Sequence, residues 1–238
     1  MSLPISLAII IFAALIHSSF QLSVSVLTLL SGHAIGSEHS HNRLLGLTTS
    51  FVLGVCLMIL LLTSSMAFIS FNIFSFGTPQ IVWAGSCGLL IGVAASIWMF
   101  YYRREKGTAL WVPREAARYL TNRTKSTKSK SEAFSLGMFS VLGEILFIIA
   151  PLIIGSLAIA QLPLNLQLVG ALIYTAVSMS SLVIIWILIG GGHTLGRIQK
   201  WREDNKYFLQ FIAGAGLIVL SIFIYVITIT SDVSGGLL

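Results

Sequence analysis

The stretch GLTTSFVLGVCLMILLLTSSMAFISF, residues 46–71, holds no charged side chain, and its apolar residues fall on all sides of a helix rather than on one stripe. About 20 such residues span about 30 Å of hydrocarbon, and a helix apolar all round has lipid or protein on every face. Five more largely apolar stretches reach that length: Leu3 to Leu30, Gln80 to Tyr102, Phe134 to Ala160, Leu166 to Ile189 and Tyr207 to Thr230. Composition points the same way. Of the 238 residues 56% are apolar and 9% charged, whereas a soluble domain carries about 25% charge to hydrate its surface. The sequence predicts an all-α polytopic membrane protein with six transmembrane helices.

Basic residues orient the bundle, because short loops rich in Lys and Arg stay on the cytoplasmic side. Arg43 lies in the first loop. Arg103, Arg104, Lys106, Arg114, Arg118, Arg123, Lys125, Lys128 and Lys130 lie in the third, and Arg197, Lys200, Arg202 and Lys206 in the fifth. These are all 14 Lys and Arg; residues 72–79, 161–165 and both ends carry none. The expected location is the plasma membrane, with odd loops cytoplasmic and both termini outside. Confinement of the +6 charge to loops disfavours nucleic acid as a partner. Before the first apolar run no basic residue stands, and the run outlasts a signal peptide, so a retained first helix is expected.

Three parts follow: a first three-helix half (1–102), a basic cytoplasmic connector (103–132) and a second three-helix half (133–238). In the connector, Leu110, Trp111, Tyr119 and Leu120 interleave with Arg114, Glu115 and Arg118, which reads as an interfacial helix attracted to anionic headgroups of the bilayer. Sliding the chain on itself by 123 residues lays each first-half span on a second-half span and Gln21 on Glu144. That match suggests a 3+3 inverted repeat, although evenly spaced spans alone give similar overlaps.

Inside the spans ionisable groups are few, and each costs about 2.5 to 3.5 kcal/mol to insert, so each should face the bundle interior. Glu144 is the one carboxylate deep in a span, with Ser140 and Pro151 expected on the same face of helix four. His17, Gln21, Ser25 and Thr28 are spaced to line one face of helix one, where His17 and Glu144 are expected to share a proton. Tyr174 and Ser178, one turn apart in span five, complete the polar set, and Pro151 is read either as a helix break near a binding site or as a bare kink. The alternative for the hydroxyls is ordinary interhelical hydrogen bonding. His33, Glu38, His39 and His41 in the first loop are metal-ligand types whose spacing matches no defined motif, and Cys56 and Cys87 form no Cys-x-x-Cys pair. Catalytic signatures such as His-x-x-Glu-His, Gly-x-Ser-x-Gly and a P-loop are absent, so no enzyme and no cofactor is expected.

Six spans, a long basic connector after the third, outside termini and polar or proline-marked first and fourth helices resemble the LysE-type exporter superfamily. The Pro-Gly-Pro signature of its amino-acid exporters is replaced here by His17 to Gln21, and the cysteine pair of its thiol-electron carriers is absent. The resemblance implies a secondary transporter exporting a small polar solute or ion with proton or cation coupling; the residues expected to serve it, His17, Gln21, Ser25, Ser140, Glu144, Pro151, Tyr174 and Ser178, are read from the polar groups inside the spans and are not carried over from the family. The alternatives are a non-catalytic scaffold acting through the connector, or a metal-efflux protein. Oligomeric state is open, a homo-oligomer included.

Overall fold

The computed structural model describes residues 1–20, 26–27, 40–74, 77–101, 122–124, 127, 129–191 and 204–230. Among these the chain is all-helical. Helix α1 is Leu3–Ser19, α2 Ser40–Ile73, and α3 Gln80–Ser96 with a π-helical continuation Ile97–Tyr101. The second half holds α4 Lys130–Gly143, α5 Ile145–Ala160, α6 Leu164–Ser178, α7 Ser180–Gly190, and α8 Lys206–Ile224 with a π-helical continuation Tyr225–Thr230.

Three helices are long and apolar enough to cross a membrane: Asn42–Ile73, Gln80–Met99 and Tyr207–Thr228. The fourth and fifth expected spans are each two helices, α4 and α5 meeting at 81° and α6 and α7 at 53°. The fourth breaks at Glu144, not at Pro151, which lies buried inside the unbroken α5. Proline removes one backbone donor, but its helical φ is compatible with a chain packed tightly on all sides. The break follows Gly143, the poorest helix former after proline, and comes one turn after Ser140, whose hydroxyl donates to the Gly137 carbonyl. The fifth breaks at Met179, straight after Ser178 donates to the Thr175 carbonyl.

Helix α1 is shorter than the stretch Leu3 to Leu30. Ser19 donates to the Ile16 carbonyl at 2.6 Å and the Phe20 N–H to that of His17, which closes the helix. Of the expected stripe, His17 lies in α1, and Gln21, Ser25 and Thr28 fall outside the described residues. So does most of the connector. Its end does belong to α4, begun at Ser129 by a reciprocal cap in which the Glu132 N–H donates to Ser129 Oγ and the Ser129 N–H to the Glu132 carboxylate.

Helix α5 is the centre of the bundle, with Ile154 to Ile159 buried without a gap. It packs on α1 and α2; α1 also packs on α6, α2 on α4, and α3 on α8. The α2–α4 contact is glycine-made. A Cβ on Gly54 would strike the Phe134 carbonyl and one on Gly137 the Phe51 carbonyl. Small residues permit this backbone approach where lipid offers no hydrophobic drive. The α3–α8 pair is tied by Cys87 Sγ–H donating to the Ser221 carbonyl and Ser221 Oγ–H to that of Cys87, and by Trp98 stacked on Phe211 at 5.8 Å. Leu53, Leu57, Leu61, Ile81, Ile91, Phe211 and Ile222 face outward, an apolar exterior suited to lipid tails.

The two ends of the bundle differ. The start of α1, the end of α2, the start of α3, the α5–α6 turn and the end of α8 surround one cavity. At the opposite end Lys130 touches Gly46, and Leu45 approaches Gly190. Each bent pair thus begins at one end of the bundle and finishes at the other.

Candidate functional site

Three chain breaks meet in the interior: the end of α1, the α4–α5 bend and the α6–α7 bend. Phe20, just past α1, stacks on Phe147 in the first turn of α5, with ring centroids 6.3 Å apart and planes 19° apart. His17 lies one turn before Phe20 and Glu144 one turn before Phe147. Both are buried, each 1% exposed. Glu144 ends α4 and begins α5, its carbonyl accepting from the N–H groups of Phe147 and Ile148.

Tyr174 on α6 reaches His17. Its phenol lies 2.9 Å from His17 Nδ1, with the rings 5.7 Å apart and tilted at 59°. Either the phenol donates to a ring nitrogen protonated at Nε2, or Nδ1–H donates to the phenol oxygen. Nε2 is buried and without a partner among the described residues. Gly155 on α5 holds Tyr174 from behind, since a Cβ there would run into its ring.

Ser18, beside His17, binds the second bend. It lies 2.7 Å from Ser181 Oγ and 2.9 Å from Ser180 Oγ, and its hydroxyl oxygen accepts the Ser181 backbone N–H at 3.3 Å. Ser181 Oγ also contacts the Ser18 carbonyl at 3.1 Å. The N-cap residue of α7, Met179, has no side-chain acceptor, so a serine of α1 fills that role from across the interface.

No protein-family model matches the chain, and neither a curated protein nor a solved structure does. The chemistry of the site rests on its own groups.

Of the eight residues expected at the site, the structure brings together His17 and Tyr174 and sets Glu144 beside the Phe20–Phe147 contact. Ser178 and Ser140 are buried, but their hydroxyls serve the local helix ends. Because the bend separates α4 from α5, Ser140, Glu144 and Pro151 do not share one helix face. Gln21 and Ser25 lie outside the described residues, as do His33, Glu38 and His39; His41 is the second residue of α2. Among the described residues no group of three His, Cys, Asp or Glu is placed to hold a metal ion. Ser180 and Ser181, already conspicuous as polar residues of the fifth span, gain their partner Ser18 only in the structure. Their signal was the run Ser178-Met179-Ser180-Ser181, dense in groups that compete for backbone hydrogen bonds.

A hydroxyl, an imidazole and a carboxyl gathered at helix ends offer donors and acceptors on side chain and backbone together. The end of α4 presents carbonyls and the start of α5 presents N–H groups, the Ser181 N–H at the start of α7 being taken by Ser18.

Proposed function

We propose that the protein is a secondary transporter of the plasma membrane, exporting a small polar solute or ion with proton or cation coupling. The observation that carries this reading is the convergence of three helix breaks on buried His17, Tyr174 and Glu144, since discontinuous helices whose ends meet in the interior are a device of transporter binding sites. Glu144 carries the coupling proton or cation, and His17 with Tyr174 binds substrate. Export as the direction follows from the likeness in topology to LysE-type exporters.

The reading includes six crossings related as a 3+3 inverted repeat, with the basic loops cytoplasmic. Several correspondences support it. Ser40 and Leu164, the starts of α2 and α6, are 124 residues apart, and Gln80 and Lys206, the starts of α3 and α8, are 126 apart. The chain leaves its helix at Phe20 in the first half and at Glu144 in the second. Both α3 and α8 run on into π-helical turns, and the α1–α6 contact has its counterpart in α4–α2.

His17 is closed off from the cavity. Ser6, which lines it, precedes His17 by about 16 Å along α1, and Ile9, Ile10, Ala13 and Ala14 fill the interval without exposure. The structure thus fits an occluded stage of alternating access, opened by hinging at Glu144 and Met179. In proteoliposomes with an imposed proton gradient, Glu144→Gln and His17→Ala should each cut coupled flux at least tenfold while folding normally. Unchanged flux in both variants overturns the reading.

A further inference from the structure

A cavity of about 990 Å³ opens at the bundle end where, among the described residues, no Lys or Arg lies. Its polar lining is Ser6, Ser70, Thr78, Gln80, Gln161 and Thr228, and its aromatic lining Phe71, Phe74 and Trp83. Among the described residues no Asp, Glu, Lys, Arg or His side chain lines it. The walls are braced. Gln167 Nε2 donates to the Ala160 and Leu162 carbonyls, which fixes the α5–α6 turn carrying Gln161, while Trp83 is 3% exposed and held in the core.

Among the described residues a cation entering such a chamber would shed water without meeting an opposite charge, and an anion would meet only the Met1 amino group, so hydroxyls and amides offset the cost in part. An uncharged solute with several hydroxyls pays little. Its O–H groups exchange water for amide and hydroxyl partners, and its C–H faces lie against aromatic rings. The interior site, with Tyr174, Ser18, Ser180 and Ser181 around His17, is also rich in hydroxyls. We infer that this chamber is a recognition site for uncharged polyhydroxyl solutes of sugar or polyol type, and that these are the substrate class of the path leading to His17. The second half of the inference rests on the transport reading; the first stands without it.

The test uses the full chain, with Cys56 and Cys87 replaced by alanine and Gln161→Cys added as a reporter, in nanodiscs and in proteoliposomes. Glucose and sorbitol are compared with glutamate and putrescine, first for slowing maleimide labelling of the reporter and then for counterflow through the protein with native Gln161. The neutral pair should slow labelling at least fivefold, Trp83→Leu should abolish that protection, and Asp232→Asn, beyond the described residues, should leave it unchanged. Protection by glutamate or putrescine in preference, or by none of the four, overturns the chamber assignment whatever the flux. Protection by the neutral pair with counterflow of neither keeps the chamber site and overturns its place on a transport path. Counterflow of the charged solutes alone overturns the substrate class and keeps the transport reading.

Discussion

Tyr174 and His17, 157 positions apart in the chain, meet phenol to Nδ1 at 2.9 Å where neither is reached by solvent. The contact joins α1 of the first half to α6 of the second. Removing one partner leaves a buried polar group unmatched, whereas removing both leaves only a packing loss, so the two substitutions should not add. Tyr174→Phe and His17→Ala, alone and together, are expected to show a coupling of about 0.6 to 2 kcal/mol in reversible unfolding in mixed micelles. Additive effects would mean the pair is not bonded in the membrane.

Glycines divide by what stands opposite them. Gly137 faces the Phe51 carbonyl, a backbone atom that cannot rotate aside, and nothing lies within 4 Å of a Cβ built on Gly88. Gly137→Ala should therefore destabilise by about 1 to 3 kcal/mol through forced separation of α2 and α4. Gly88→Ala should be neutral or stabilising by up to about 1 kcal/mol, from helix propensity alone. Melting temperatures of the two variants, measured side by side in one detergent, decide the matter.

How far the sequence could be read follows from which forces leave a linear trace. Long uncharged runs and the grouping of all 14 Lys and Arg mark a helical membrane chain, because lipid imposes both locally. His17, Glu144 and Tyr174 were legible for the same reason: a polar group in an apolar run stands out. Proline, the conspicuous helix breaker, drew the reading to Pro151, whereas the bends fall at Glu144, straight after Gly143, and at Met179, straight after Ser178. Ser18 capping α7 is a tertiary event with no local signature.

Pro151 and Glu144 therefore make opposite predictions about shape. With spin labels at Ser135→Cys on α4 and Gln161→Cys beyond α5, in a background lacking Cys56 and Cys87, a straight helix would separate the positions by about 39 Å and an 81° bend by about 31 Å. Double electron–electron resonance should give the shorter distance, and Pro151→Ala should leave it unchanged. If Pro151→Ala lengthens the distance toward the straight value, the proline sets the bend after all.

The proposed orientation puts Thr78 and Gln161, both lining the cavity, on the outside, and Asn42 and Ser131, both exposed near the starts of α2 and α4, in the cytoplasm. Each is replaced singly by cysteine after Cys56 and Cys87 are removed, and intact cells are treated with a membrane-impermeant maleimide. Thr78→Cys and Gln161→Cys should label at once, and Asn42→Cys and Ser131→Cys only after permeabilisation. Labelling of Gln161→Cys and Ser131→Cys from the same side would make α4 and α5 a re-entrant hairpin rather than a crossing. The second half would then no longer invert the first, and Glu144 would sit at the tip of a loop instead of at the join of a transmembrane path.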